Sequence, residues 1–193
     1  MIYNLPVERQ HLLGPGILLA VLAVIFFTPL NGVFEFDRTA IESGQYWQLF
    51  SSQFTHSNLA HLLLNALGVV FIWSLHGEYT NAQRYLLNIV MLSIATGTAI
   101  YQLSPSIHYY TGLSGVLHGV IIWGTLYDIK LGRKDGWLLL IGVIGKLSWE
   151  QIHGASDSIA SLIESSVATD AHLFGAIAGF VLFLLIDLRK KPT

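Results

Sequence analysis

The sequence predicts an all-α membrane protein, a bundle of six transmembrane helices, and three observations predict it. The 193 residues are 53% hydrophobic and only 11% charged, less than half the roughly 25% charge of ordinary soluble domains. The charges are unevenly spread: residues 10–34 and 85–127 contain none. Each gap exceeds the roughly 20 apolar residues that a bilayer-spanning helix needs. The same composition excludes other classes. The apolar content excludes a disordered chain, and the absence of Cys excludes a disulfide staple or a Cys-ligated zinc fold. A formal net charge of −2 offers no basic face to nucleic acid.

Six apolar segments follow in order. The first runs from about Leu12 to Leu30, with Gly14, Pro15 and Gly16 near its start and Pro29 near its end. Its leader holds one basic residue and no small-x-small cleavage site follows, so it reads as a retained span rather than a signal peptide. The second covers about Leu59 to Leu75, and the third Tyr85 to Leu103, stopped by Pro105. The fourth opens at Gly112 and runs to Tyr127. The fifth, Trp137 to Trp149, is short and carries Lys146, and the sixth runs from Ala171 to Leu188. No repeat, low-complexity tract or long linker divides the chain, which predicts one bundle over residues 1–193.

The basic residues predict orientation, because cytoplasmic loops carry an excess of Lys and Arg. With six spans both termini share a side, which holds Arg9, Arg84, Lys130, Arg133, Lys134, Arg189, Lys190 and Lys191. The opposite side holds only Arg38. Both termini are therefore expected in the cytoplasm. Residues 32–58, 104–111 and 150–170 are then outer loops.

Polar groups inside a membrane are costly, so each is a candidate for function. Ser114 stands at the start of the fourth span within Gly112-Leu113-Ser114-Gly115, followed by Gly119. A Ser there most often only caps a helix. Here Gly115 and Gly119 form a small face on which another helix can pack, and a hydroxyl at a helix N-terminus lies beside free amides suited to an oxyanion. His172, after Asp170 and Ala171, precedes a matching face of Gly175 and Gly179. A lone His could be a core residue bonded to a carbonyl. Two facing glycine stripes instead predict close packing of spans four and six, which brings Ser114 and His172 within hydrogen-bond reach. A hydroxyl is a weak nucleophile until a base takes its proton, and His172 supplies one. Asp170, two residues before, points elsewhere on a helix, so a Ser–His dyad is expected, with a contribution from Asp170 the lesser alternative.

His61 and Asn65 share one helical face at i,i+4. They read either as an interhelical hydrogen-bond pair or as donors to a developing oxyanion. His118 lies i,i+4 from Ser114 and can pack on His172. With His61 and His172 it could also form a three-His metal site, but no HExxH signature or inward carboxylate accompanies it, so no metal or cofactor is expected. His56, His108 and His153 fall in outer loops and His76 at the end of span two, interfacial and without special role.

Together these residues resemble a known family. Gly44-Gln45-Tyr46-Trp47-Gln48-Leu49 through Phe54-Thr55-His56, then His61 and Asn65, resemble the first outer loop and second helix of rhomboid intramembrane serine proteases. Gly112-Leu113-Ser114-Gly115 is similar to the nucleophile motif of that family, and Ala171-His172 with Gly175 and Gly179 to its base helix. The resemblance implies a six-span rhomboid-like bundle that cleaves single-span membrane proteins near the outer face. It implies Ser114 as nucleophile and His172 as general base, supported by Gly112, Gly115, His118 and Gly175. It implies an oxyanion hole of His61, Asn65 and the Ser114 amide. The chain departs from the family in having Gln48 after the loop Trp, where Arg is common, and His118 where Tyr often packs on the base. These departures resemble the rhombosortase subgroup, whose members process bacterial exported proteins ending in Gly-Gly, an apolar helix and a basic tail. That resemblance implies a bacterial inner-membrane location with the site open to the periplasm. Two other classes stay open: a non-catalytic rhomboid-like protein that binds membrane clients, and a His-ligated metal-dependent hydrolase.

Overall fold

A computed structural model describes residues 5–189; Lys190 and Lys191, counted above on the cytoplasmic side, lie outside them. The first long helix, α1 (Arg9–Phe26), buries Leu18, Leu22 and Ile25 on one face. It starts three residues before the expected Leu12–Leu30 span and stops four before its end, where the chain turns at Thr28 and Pro29 into a short helix, α2 (Leu30–Phe34). The first outer loop is then structured rather than loose. It contains strand β1 (Phe36–Asp37) and short helices α3 (Arg38–Glu42) and α4 (Gln48–Ser51).

Helix α5 (Leu59–His76) is capped by Asn58, which accepts the His61 N–H at 2.9 Å. It turns His61, Asn65, Val69, Ile72 and His76 inward at helical spacing. Helix α6 (Ala82–Leu103) repeats the device, with Asn81 accepting the Arg84 N–H at 2.9 Å. A second strand, β2 (Tyr109–Tyr110), pairs antiparallel with β1, Phe36 opposite Tyr110 and Asp37 opposite Tyr109. Helix α7 (Ser114–Lys130) is buried around much of its circumference, including Val116, Leu117, Val120 and Trp123, which makes it the central helix. Helix α8 (Lys134–His153) is peripheral and buries only Gly136 and Leu147. Helix α9 (Asp157–Ile163) follows, and α10 (Thr169–Leu182) continues through a π-helical turn to Asp187.

Among the described residues four helical stretches are long and apolar enough to cross a membrane: Arg9–Phe26, Leu59–Tyr79, Ala82–Leu103 and Thr169–Asp187. The other two of the six expected segments differ for physical reasons. Helix α7 has 17 residues, and α8 carries Lys134, Asp135, Lys146 and Glu150. Helix α8 also corrects the expected fifth segment. It is not a short Trp137–Trp149 piece but 20 residues long, so Glu150 belongs to a helix and not to an outer loop.

Glycine governs the tightest contact, between α7 and α10. A Cβ added at Gly175 would lie 1.8 Å from the Gly115 carbonyl oxygen, and one at Gly179 would lie 2.0 Å from that of Gly119. Neither position tolerates a side chain, so the two backbones touch directly.

The outer loop is tied to the bundle by two side chains. The Arg38 guanidinium donates to the carbonyls of Tyr101 at 3.0 Å, Ser104 at 2.9 Å and Ile107 at 2.9 Å, closing the C-terminal end of α6 with a cation as the helix dipole favours. Gln48 is buried and its Oε1 accepts the Asp37 N–H at 3.0 Å. A neutral side chain thus anchors the loop from within. At the other end of the bundle His76 is buried rather than interfacial, because Asp128 takes its Nε2 at 3.0 Å. Asp128 also pairs with Arg133 at 3.2 Å, and Arg84 with Asp187 at 2.6 Å.

Candidate active site

Ser114 is the first residue of α7, and its N-cap position is held by Leu113. Its hydroxyl therefore does not cap the helix. It lies 2.8 Å from His172 Nε2, across the glycine contact that joins α7 to α10. As the first helical residue, Ser114 also has an N–H with no acceptor one turn earlier. The segment before it is shaped by Gly112, whose φ of +120° favours glycine and whose added Cβ would lie 2.6 Å from His61 Nε2. Tyr110 holds this turn by donating to the Gly112 carbonyl at 2.6 Å, and burial pushes its phenol well above the usual range.

His61 and Asn65 stand on the other side of Gly112. Asn65 Nδ2 reaches the His61 carbonyl at 3.3 Å, and that nitrogen lies 3.7 Å from the point a Gly112 Cβ would occupy. The Ser57 hydroxyl donates to the Ile163 carbonyl at 2.6 Å, and His61 Nδ1 lies 3.1 Å from the same oxygen. With its one proton committed, Ser57 can only accept from His61. This places the neutral imidazole's hydrogen on Nδ1 and leaves Nε2 bare. Of the His61–Asn65 pair, Asn65 is then the one that carries a hydrogen on the atom nearest the Gly112 turn.

His118 lies flat on His172, ring centroids 4.3 Å apart and planes 22° apart, while its Nδ1 donates to the Ser114 carbonyl at 2.7 Å. Asp170 takes no part: it accepts the Ser104 hydroxyl at 2.5 Å. A different carboxylate reaches the imidazole. Glu150 Oε2 lies 2.9 Å from His172 Nδ1, which corrects the expectation that no inward carboxylate is present. Lys146, one turn earlier on α8, donates to Glu150 at 2.8 Å and to His118 Nε2 at 2.8 Å. The clue was present in the sequence as a Lys and a Glu four apart near an apolar segment, but a helix ending at Trp149 leaves Glu150 outside it.

Donor atoms of His118, Glu150 and His172 lie within 4.8 Å of one another. The Lys146 ammonium already bridges two of them, and a second cation there would meet its charge. These residues do not fit a metal ion, and His61 is not among them.

The Ser114, His172, His61 and Asn65 side chains all line one cavity of about 940 Å³, together with Leu117, Lys146 and Glu150. Its rim includes residues 153–157 and 166–168. The chain between α8 and α10 is not all loop. It contains α9, fastened to the start of α5 by the Ser57 bond and by Asn58 donating to the Leu162 carbonyl at 3.0 Å.

His56, expected to be an unremarkable loop residue, is fully buried with its ring 5.0 Å from His61, edge to face. Burial first, then the neighbouring His61, lowers its protonation from the ordinary 6.5 to about 3, against a smaller opposing pull from the Phe54 backbone. The unfolded chain takes up this proton near 6.5 and the folded chain only near 3. Stability from this residue is therefore full above about pH 6.5 and lost as pH falls towards 3. Thermal unfolding midpoints in detergent at pH 7.5 and pH 5 are expected to converge in His56→Phe relative to wild type. An unchanged difference would show that His56 does not carry the acid sensitivity.

Residues 43–188 match the Rhomboid domain family. A provisionally named rhomboid protein of Acanthamoeba polyphaga mimivirus is 32% identical over 177 residues, 90% of this chain and 91% of the relative. A provisionally named rhomboid protease of Bacillus subtilis (strain 168) is 25% identical over 181 residues, 89% of this chain and 86% of the relative. With one family matched from the outer loop through the last helix and relatives aligned over most of both lengths, the chain belongs to the rhomboid family.

Proposed function

We propose that the protein is an intramembrane serine endopeptidase. The family and the protease name of the Bacillus relative support intramembrane proteolysis in general. The observation that carries the finer reading is the 2.8 Å contact between Ser114 Oγ and His172 Nε2 inside a cavity. His172 takes the Ser114 proton as the oxygen attacks the scissile carbonyl, forming the C–O bond of a tetrahedral intermediate. The same proton passes to the leaving amine as the C–N bond breaks, and water then hydrolyses the ester. The Ser114 N–H and Asn65 Nδ2 face the developing oxyanion. His61 joins them only when its Nε2 also carries a hydrogen.

We place this chemistry in a single domain over residues 1–193 with six spans, α7 and α8 completing the four apolar crossings. In this reading both termini are in the cytoplasm of a bacterial inner membrane and the cavity opens to the periplasm. The substrates are single-span membrane proteins. The rhombosortase-like features, Gln48 and His118, favour exported proteins with a C-terminal Gly-Gly, apolar helix and basic tail.

Labelling of the purified protein in detergent by a fluorophosphonate tests the reading without a known substrate. Wild type is expected to label, and Ser114→Ala and His172→Ala are expected not to. Labelling that survives Ser114→Ala would end the assignment of the nucleophile.

A further inference from the structure

The Ser114–His172 pair does not stand alone. A closed circuit of polar contacts leaves Ser114 by its hydroxyl and returns to it by its carbonyl. Ser114 Oγ meets His172 Nε2 at 2.8 Å, and His172 Nδ1 meets Glu150 Oε2 at 2.9 Å. Glu150 accepts from Lys146 at 2.8 Å, Lys146 donates to His118 Nε2 at 2.8 Å, and His118 Nδ1 donates to the Ser114 carbonyl at 2.7 Å. Each proton in this circuit has one consistent place. Glu150 is nearer to His172 Nδ1 than Lys146 is, 2.9 Å against 3.4 Å. The Nδ1 hydrogen therefore points at the carboxylate, which leaves the Nε2 lone pair for the Ser114 hydroxyl. His118 is held in the same tautomer, its Nδ1 hydrogen on the Ser114 carbonyl and its Nε2 lone pair taking a hydrogen from Lys146.

We infer that Glu150 is the positioning carboxylate of His172, so that the site works as a Ser114–His172–Glu150 triad whose third member comes from α8, with Lys146 and His118 holding it. This inference rests on the reading of Ser114 as nucleophile and His172 as base. A carboxylate on the far nitrogen of a catalytic imidazole fixes its tautomer and orientation and stabilises the imidazolium formed in the transition state. The side chains of His172 and Glu150 are 7% and 11% exposed, so water screens their interaction little. Lys146, 46% exposed, balances the carboxylate charge. A plain i,i+4 ion pair along α8 would need only Lys146 and Glu150. It would not require either residue to contact an imidazole on α7 or α10.

The other groups facing His172 are accounted for. Helix α7 presents Ser114 and His118, α8 presents Lys146 and Glu150, and α5 presents His61. Asp170 on its own helix is turned to Ser104, and the one charged residue of α6, Arg84, is paired with Asp187 at the other end. Glu150 and Lys146 are thus the two fixed charges beside the base, and they act on it with opposite sign.

The test is the pH dependence of fluorophosphonate labelling of the full chain in detergent micelles, in which Ser114 Oγ bonds to phosphorus, fluoride leaves and His172 takes the hydroxyl proton. Glu150→Gln is expected to slow labelling at neutral pH by up to about 10⁴-fold, as when the carboxylate of a Ser-His-Asp triad becomes an amide, and to move the acid limb of the profile to lower pH. Lys146→Met is expected to move that limb to higher pH, and the double variant to return it towards wild type. Where Glu150→Gln fails to fold, as judged by its elution and unfolding midpoint, the direction in Lys146→Met decides. A uniform loss of rate with the limb unmoved in Glu150→Gln, or shifts of the same sign in both single variants, overturns the inference. No labelling of wild type, or labelling that survives Ser114→Ala, defeats the underlying protease reading instead, and so the two failures are distinguishable.

Discussion

Ser114→Ala and His172→Ala are each expected to lower cleavage of a single-span reporter, built with a Gly-Gly segment, an apolar helix and a basic tail, by about 10⁴-fold or more. The double variant is expected to be no slower than either single one. The reason is that the two side chains act as one device: the hydroxyl is a poor nucleophile without its base, and the base has nothing to activate without the hydroxyl. What remains in any of the three variants is the contribution of binding and of the oxyanion donors, which triad deletions in other proteases leave standing. The loss should fall in kcat with KM little changed, because neither group is needed to hold the apolar helix of the substrate. Single-turnover cleavage in proteoliposomes reads both quantities. Losses that multiply in the double variant, or a single variant within tenfold of wild type, would show that the two residues work independently.

Gly175→Ala is expected to have the largest effect on the architecture. The added carbon would lie 1.8 Å from the Gly115 carbonyl oxygen and 2.5 Å from its carbon, and both belong to helix backbone that no rotamer change can move aside. Helix α10 must back away from α7. The same movement separates His172 from Ser114, which the touching backbones hold at 2.8 Å. Overpacking of this kind costs about 1–3 kcal/mol even where side chains can yield, and here none can. The unfolding midpoint and the rate of fluorophosphonate labelling should fall together. Gly142→Ala and Gly145→Ala on the peripheral α8 are the matched controls, because a Cβ at either meets nothing within 4 Å. In a helix interior they should be neutral or stabilising by about 0.5–1 kcal/mol. A Gly175→Ala protein as stable and reactive as those controls would show that the α7–α10 contact is not what holds the pair.

How much of this was readable in advance depends on the range of the interaction. The long apolar runs, the two glycine stripes and the i,i+4 placement of His61 with Asn65 are local patterns, and local patterns are set by helical periodicity. Arg38 and Gln48 show the limit. Each is an isolated polar residue in a loop, and its meaning depends on carbonyls and an amide that other segments bring to it: Tyr101 and Ser104 for Arg38, Asp37 for Gln48. The sequence places His76 and His56 only at the end of a span and in a loop, whereas their burial against Asp128 and His61 depends on how the helices cross.

The carboxylate of the site makes the contrast sharpest. Asp170, beside the base in sequence, is turned away by the 100° step of the helix and bonds Ser104. Glu150, far from the base along the chain, reaches it because α8 runs one turn further than its apolar residues alone require. Composition and periodicity by themselves determined that this protein is a helical membrane bundle and that Ser114 and His172 lie on facing glycine stripes, since both follow from burial of apolar surface and from side-chain size. Which charged groups surround that pair was decided only by the tertiary structure. The Lys146–Glu150 pair lies along one helix, but the imidazoles it meets come from α7 and α10, and partners brought by other helices have no fixed distance along the chain.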